Sequence, residues 1–267
     1  MLSAKQLTLL QGDIIFQQRL DNQTLRVLEN SQYRWFTLGG NAIQAIMSKA
    51  QPHACLLAVP QALLIFLLWR NNANSILNLG LGSAGLERTL NHYGAFNITA
   101  IEQQFDIIEM AKHYFNLPSN VMAITASAES YLAKTNNTFD IVLCDIYQQE
   151  KSPKALFSKS FYQNISKTLK PAGCALMSIN ISCQQQLTTL LAMLHTLNLN
   201  LALIDFSDYK HIVVIMSKAP LLNKTQLIAL NQHKSAQLNI DFSLYIERMH
   251  FIPALALIST GKKAESF

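Results

Sequence analysis

The sequence predicts an α/β protein with a Rossmann-like sheet that ends in an antiparallel hairpin, preceded by a small N-terminal β unit. From residue 75 onward, short apolar runs alternate with segments of helical period, and the first run leads into a glycine-rich loop. At the end of this alternation, Leu201–Phe206 and His211–Met216 are separated by only four residues. A parallel crossover needs a dozen or more residues, so these two strands are expected to pair antiparallel.

The N-terminal unit is predicted to be a small antiparallel β-meander. Asp13–Gln18 and Thr24–Glu29 flank Arg19–Gln23, whose composition is typical of a turn. Tyr33–Leu38 is aromatic and β-prone, which indicates a third strand. The stretch 42–50 is expected to form a helical turn or an entry loop.

The next segment, Ala54–Trp69, is nearly all apolar. It is shorter than the ~20 residues of a membrane-spanning helix, and Pro60-Gln61 interrupts it, so we expect no membrane association. A short strand at Leu56–Val59 is predicted, followed by a buried helix from Pro60 or Gln61 to about Trp69. Proline suits the first turn of such a helix because its missing N–H group is not needed there.

From residue 75 onward, the periodicity predicts seven strands and six helices. The strands are expected at 76–79, 98–101, 121–125, 140–145, 174–179, 202–206 and 211–217. The helices are expected at 84–93, 104–115, 127–134, 154–169, 183–197 and 224–237, with a frayed tail at 261–267.

Six parallel strands followed by an antiparallel one form the layout of the class I S-adenosylmethionine-dependent methyltransferase fold. A nicotinamide-dinucleotide domain would be parallel throughout. We divide the chain into a β-meander (1–52), a nucleoside-binding domain (53–218) and a C-terminal helical extension (219–267).

The composition excludes several functional classes. Half of the 267 residues are hydrophobic and 14% are charged, which is typical of a globular protein. The net charge of +5 is scattered without a basic run, so no nucleic-acid partner is expected. The four cysteines form no C-x-x-C pair and the histidines show no ligand spacing, so no metal is expected. Free thiols and the lack of a signal-like N-terminus predict a cytoplasmic location.

The glycine-rich loop is the strongest functional signal. Gly80, Gly82 and Gly85 follow an apolar strand at G-x-G-x-x-G spacing and precede a helix-like segment. Gly80 would permit the tight turn, Gly82 the approach of a ligand, and Gly85 the close packing of the helix. Glu102 ends the second strand, 22 residues after Gly80, where a carboxylate can accept both hydroxyls of a ribose. The alternatives, a plain turn and a carboxylate that caps the following helix, remain open.

Three further residues are candidates for the same site. Asp145 ends an apolar strand at the carboxyl edge of the predicted sheet, where ligands of open α/β folds bind, and it is our candidate base. Ser83 and Ser127 lie in loops at the same edge, either as hydrogen-bonding groups for a ligand or as ordinary loop serines.

The order and spacing of several sequence blocks resemble the spermidine synthase (polyamine aminopropyltransferase) family over roughly residues 10–218. The blocks are the glycine loop 80–85, Glu102 followed by Ala111–Phe115, Phe139–Asp145, Leu156–Tyr162 and Leu169–Gly173. The β-meander in front of the nucleotide domain adds to the resemblance.

The resemblance implies a transferase with an S-adenosylmethionine-type co-substrate and no tightly bound cofactor. In that family, decarboxylated S-adenosylmethionine lies over the glycine loop, and the acid matched by Glu102 holds its ribose. The acid matched by Asp145 deprotonates an amine, a small-molecule acceptor, which attacks the aminopropyl carbon beside the sulfonium. The family also implies a homodimer.

Several positions depart from the family pattern. Ser83 stands where the family carries an acid that binds the aminopropyl ammonium, and Ala126-Ser127 stands where it carries Gly-Asp. The D-[ST]-x-D-P block reads Asp145-Ile-Tyr-Gln-Gln, and the acceptor motif expected near 52–60 is absent. The loop 145–159 holds three lysines, which favours an uncharged or anionic acceptor over a polyamine.

Two alternatives to a spermidine-synthase-like transferase therefore remain open. One is a small-molecule methyltransferase that uses S-adenosylmethionine itself. The other is a non-catalytic protein that binds a nucleoside or forms dimers. The absence of a [DNS]-P-P-[YF] block after Asp145 argues against methylation of nucleic-acid bases.

Overall fold

The computed structural model describes residues 1–20, 23–70, 72–146, 152–206 and 211–253. Two sheets with flanking helices make up this part of the chain. The helices are α1 (Ala4–Thr8), α2 (Ala58–Leu63), α3 (Gly85–Tyr93), α4 (Phe105–Tyr114), α5 (Ala128–Lys134), α6 (Lys159–Thr168), α7 (Gln184–His195), α8 (Lys224–Leu238) and α9 (Ser243–Glu247).

The N-terminal sheet is the predicted antiparallel meander, with four strands in sequential order. Its strands are β1 (Asp13–Leu20), β2 (Gln23–Glu29), β3 (Tyr33–Leu38) and β4 (Ile43–Ser48). The expectation of a helical turn or loop at 42–50 was wrong, because β4 occupies this stretch and pairs with β3. Ile46 and Met47 are buried there, and their burial against the sheet outweighs the weak local signal of a short edge strand.

The second sheet confirms the predicted fold class, with the strand order β12-β10-β11-β9-β8-β5-β6-β7. Its strands are β5 (Ser75–Leu79), β6 (Asn97–Glu102), β7 (Met122–Thr125), β8 (Phe139–Cys144), β9 (Leu169–Asn180), β10 (Asn200–Asp205), β11 (His211–Ser217) and β12 (Met249–Ile252). Strands β5 to β9 are parallel, and β11 runs antiparallel to both β9 and β10. The hairpin expected from the short connection is therefore observed. Its connection, 207–210, lies outside the described residues.

The central strands are buried on both faces, which explains their nearly continuous apolar sequence. Along β5, Ile76 belongs to the hydrophobic cluster on one face, and Leu77 and Leu79 belong to the cluster on the other. The edge strand β12 was not predicted. It pairs antiparallel with β10, with Leu201 opposite Ile252.

The apolar segment after the meander forms a buried helical layer. The predicted strand Leu56–Val59 was wrong, because α2 already begins at Ala58 and continues into a 3₁₀ helix at Leu64–Leu68. Pro60 lies in the first turn of α2, where its missing N–H group costs nothing. Residues 62–66 are fully buried in the main core, which accounts for the apolar composition without a membrane.

The long helix expected at 154–169 is also interrupted. A 3₁₀ helix at Lys154–Phe157 precedes α6, and the Ser158 hydroxyl caps α6 by accepting a hydrogen bond from the Phe161 N–H group at 3.4 Å. Lys170–Gly173, between the predicted helix 154–169 and the predicted strand 174–179, belongs to β9. The remaining predicted helices are confirmed, α8 included, and the tail 261–267 lies outside the described residues.

Helix α4 joins the two sheets. Leu25 and Phe36 of the meander pack against Ile107 and Phe115 in a shared hydrophobic cluster. The Arg34 guanidinium also donates to the Tyr114 carbonyl oxygen at 2.6 Å. These contacts place the meander beside the carboxyl edge of the large sheet. Across the described ranges, no helix combines the length and apolar character needed to cross a bilayer.

Candidate functional site

A cavity of about 1090 Å³ lies between the carboxyl edge of the large sheet and the meander. This volume is slightly above the ~300–1,000 Å³ that small-molecule sites usually span. All seven sequence-predicted site residues line this one cavity: Gly80, Gly82, Ser83, Gly85, Glu102, Ser127 and Asp145. The functional role of each stays a prediction.

Two glycines of the loop that follows β5 have a positive backbone φ. Gly80 has φ +98°, and a Cβ atom there would lie 2.5 Å from the carbonyl oxygen of Asp145, so only glycine fits the turn. Gly82 has φ +52°, and a Cβ atom there would meet nothing within 4 Å, which leaves open space above the loop. Close packing at Gly85 was expected but is not observed, because a Cβ atom would keep 3.9 Å from its nearest neighbours.

The Glu102 carboxylate connects the glycine loop to the loop after β6. Its Oε2 accepts a hydrogen bond from the Gly82 N–H group at 3.4 Å, and its Oε1 accepts one from the Gln104 N–H group at 3.1 Å. Burial raises the pKa of Glu102, against the opposing effect of these backbone donors. Gln104 is itself the N-cap residue of α4, so Glu102 joins two loops and does not cap the helix in the usual manner.

Asp145 follows β8 and Ser127 follows β7, at the same edge of the large sheet. The Asp145 N–H group donates to the Leu79 carbonyl oxygen at 3.0 Å, which fixes the backbone of Asp145 beside the start of the glycine loop. The Ser127 hydroxyl accepts a hydrogen bond from the Ser130 N–H group at 3.1 Å and so caps α5. The rest of the Asp145 block, 147–149, lies outside the described residues.

A buried acidic side chain beneath the loop was missed by the sequence reasoning. Glu87 of α3 is fully buried, and its Oε1 accepts a hydrogen bond from the Asn78 side chain at 2.5 Å. The same Asn78 amide donates to the Gly80 carbonyl oxygen at 3.2 Å. Burial raises the pKa of Glu87 to about 7. The signal available in the sequence was Asn78, a polar residue inside an otherwise apolar strand.

Arg88, the next residue of α3, was missed as well. It is buried and donates from Nε to the Pro52 carbonyl oxygen at 2.8 Å, and from Nη1 to the carbonyl oxygens of Phe115 (2.6 Å) and Ser83. Burial lowers the pKa of Arg88 to about 10, so its guanidinium stays charged at neutral pH. The side chain therefore ties the glycine loop to two other segments and places a buried cation beneath it.

We expect Glu87→Gln to flatten the pH dependence of stability. The pKa of Glu87 rises from 4.5 to about 7 on folding, so the native state favours its protonated form. Stability from this group is full below pH 4.5 and is lost as the pH rises toward 7. The loss amounts to roughly 3 kcal/mol. Denaturant unfolding of the wild type and of Glu87→Gln between pH 4.5 and 8 measures this loss of stability.

The surface variant Glu109→Gln is the matched control, because Glu109 pairs with Lys112 on an exposed face. Its profile should follow that of the wild type. Identical profiles for the wild type and Glu87→Gln would show that Glu87 does not titrate in this range.

No group of three or more His, Cys, Asp or Glu side chains lies together within the described ranges. Cys144 and Cys174 are buried, Cys55 is half-buried and Cys183 is exposed. The described residues that line the cavity contribute carboxylates, hydroxyls, side-chain and backbone amides, the guanidinium groups of Arg19 and Arg88, and the Cys55 thiol.

The strand order, together with a glycine loop at the carboxyl edge of the sheet, defines a protein of the class I methyltransferase-like fold. The model of the spermine/spermidine synthase domain matches residues 65–215, and the chain belongs to this family.

Two curated relatives are polyamine aminopropyltransferases by name. The probable enzyme of Bifidobacterium longum is 30% identical over 112 residues, which are 42% of this chain and 25% of the relative. The enzyme of Chromobacterium violaceum is 25% identical over 153 residues, 56% of this chain and 59% of the relative. This chain thus spans from a quarter to about three-fifths of the length of the first curated relatives that it matches.

Among solved structures, a probable spermidine synthase from Corynebacterium glutamicum superposes with a TM-score of 0.73 at 13% identity. The superposition covers 84% of this chain and 88% of the other. At this identity the likeness shows a shared fold.

Proposed function

We propose that this protein is a transferase that binds an S-adenosyl sulfonium co-substrate over the glycine loop and moves an alkyl carbon from its sulfur to a nucleophile. The observation that carries the proposal is the position of the Glu102 carboxylate, which is hydrogen-bonded to Gly82 of that loop and lines the same cavity as Asp145. Membership of the spermine/spermidine synthase family supports it, and in that family the co-substrate is decarboxylated S-adenosylmethionine.

In the proposed reaction, Asp145 takes a proton from an amine acceptor. The amine nitrogen then forms a bond to the carbon beside the sulfonium, the carbon–sulfur bond breaks, and its electron pair stays on sulfur as a neutral thioether. Because a sulfonium is a good leaving group, alignment and deprotonation are the main contributions that the protein has to make.

The amine acceptor is proposed to be a molecule whose net charge is zero or negative, because the meander wall of the cavity differs from a polyamine site. This wall contributes the amides of Gln18, Gln23 and Gln44 and the cation Arg19, and no carboxylate among the described residues. Gln18 donates to the Asp106 carboxylate at 2.6 Å, so this acid of the cavity already has a hydrogen-bond partner from the wall. A polyamine is a multiple cation and would need several free carboxylates here.

Family membership also supports three broader proposals. The chain is divided into a β-meander (1–52), a nucleoside-binding domain (53–218) and a C-terminal extension (219–267). The protein forms a homodimer, and it acts in the cytoplasm.

Calorimetric titration with 5′-methylthioadenosine and S-adenosylhomocysteine tests the nucleoside site. A ligand at 100-fold excess over its Kd is expected to stabilise the wild type by ~2.7 kcal/mol in a thermal-shift experiment. Glu102→Gln should weaken the binding by about 10- to 100-fold, because a charge-assisted hydrogen bond to the ribose is lost.

Glu109→Gln changes a carboxylate in the same way outside the cavity and should bind like the wild type. If neither nucleoside binds the wild type, the proposed function is wrong. If a nucleoside binds but none of the acceptors tested is turned over, a non-catalytic nucleoside-binding protein is favoured instead.

A further inference from the structure

Ser83 occupies an unusual position in the glycine loop. The residue is 2% exposed and lines the cavity, and its hydroxyl oxygen has no hydrogen-bond partner in the part of the chain that the structure describes. A buried hydroxyl without a partner is unfavourable. A ligand oxygen bound over the loop would supply that partner.

The start of α3 beside Ser83 lacks a side-chain hydrogen bond at its N-cap position. The N-cap residue, Ala84, has no side chain that could accept one, and the acid of the first turn, Glu87, is buried beneath the loop. Gly85 and Leu86, the first residues of this nine-residue helix, line the cavity. A helix N-terminus carries partial positive charge and free N–H groups, both of which favour an anion.

A buried cation is in direct contact with Ser83. The Arg88 guanidinium donates to the Ser83 carbonyl oxygen from beneath the loop. The neighbouring acid Glu87 is buried and accepts a hydrogen bond from the Asn78 side chain. The Glu102 carboxylate accepts a hydrogen bond from the Gly82 N–H group. A carboxylate at position 83 would oppose a second anion, whereas the neutral hydroxyl can donate to one.

We propose that the sulfonium co-substrate of this protein carries a free carboxylate on its tail, as S-adenosylmethionine does, and that Ser83 and the uncapped start of α3 bind this carboxylate. The proposal rests on the proposed nucleoside site and specifies its ligand. It makes the carboxylated co-substrate the preferred one over the decarboxylated form.

The test is a calorimetric comparison of S-adenosylmethionine with decarboxylated S-adenosylmethionine on the full chain, with 5′-methylthioadenosine as the tail-free reference. We expect the wild type to bind the carboxylated form at least about tenfold more tightly. Ser83→Asp should reverse this order. Ser83→Ala, which removes the hydroxyl without adding charge, should weaken the binding of the carboxylated form and leave the binding of the other two ligands unchanged.

A purely structural role of Ser83 would instead lower the affinity for all three ligands together. Equal or tighter binding of the decarboxylated form by the wild type would overturn the inference while leaving the nucleoside site in place, and this measurement needs no variant. Binding of 5′-methylthioadenosine alone would overturn it in the same way. Binding of none of the three would overturn the proposed function itself.

Discussion

Replacement of Asp145 by asparagine is expected to slow group transfer by about 10²- to 10⁴-fold, with the affinity for the nucleoside nearly unchanged. The amide has almost the shape of the carboxylate but cannot accept the proton of an amine acceptor. The backbone of Asp145 is fixed by its N–H bond to Leu79 and by its contact with Gly80, so the substitution should leave the loop in place. Release of the thioether nucleoside, followed with a panel of small amine and hydroxyl acceptors, measures the rate.

The pH dependence of the same variant separates a base from a merely structural residue. As the pH approaches the pKa of the acceptor amine, the free amine forms in solution, so the deficit of Asp145→Asn should shrink. Asp205→Asn, on β10 beside His250 and outside the cavity, is the matched control and should keep the wild-type rate. A deficit that is the same at every pH would contradict the role of Asp145 as the base.

Gly82→Val is expected to abolish ligand-induced stabilisation without unfolding the domain. No atom lies within 4 Å of a Cβ at this position, so the new side chain would fill the open space above the loop. A micromolar nucleoside site should become millimolar or weaker, roughly a 10³-fold loss of affinity. Titration with 5′-methylthioadenosine measures the loss, and circular dichroism checks the fold.

The backbone strain of this substitution needs its own control. Gly82 has φ +52°, a conformation that β-branched residues avoid, so Gly82→Val also lowers stability. Gly39 of the meander has φ +79°, and Gly39→Val imposes the same kind of strain outside the loop. It should lower the melting temperature and preserve binding. Unchanged nucleoside affinity in Gly82→Val would show that the loop is not the binding site.

The sequence predicted well where local pattern and connection length carry the information. The glycine spacing and the apolar run before it located β5, the loop and α3. The four residues between β10 and β11 were too few for a crossover, which fixed their antiparallel pairing and with it the fold class. Both inferences depend on chain geometry, which sequence separation expresses directly.

Sequence reasoning failed where burial overrides local preference. β4 and β12 are short edge strands, stabilised by pairing with β3 and β10, which no local pattern reveals. The predicted strand Leu56–Val59 has a β-prone composition, yet its second half belongs to α2, which packs into the main core.

The sequence alone determined the fold class, the family blocks and the seven residues that were proposed for a site. Only the tertiary structure decided that these residues surround one cavity, and that the meander forms its opposite wall. It also decided the hydrogen-bond partners of each group. Glu102 accepts a hydrogen bond from the Gly82 N–H group, and the buried Glu87 accepts one from the Asn78 side chain. The Ser83 hydroxyl has no partner among the residues that the structure describes. The reason is physical, because hydrogen bonds, burial and the resulting pKa shifts depend on distances between segments that are far apart in the chain.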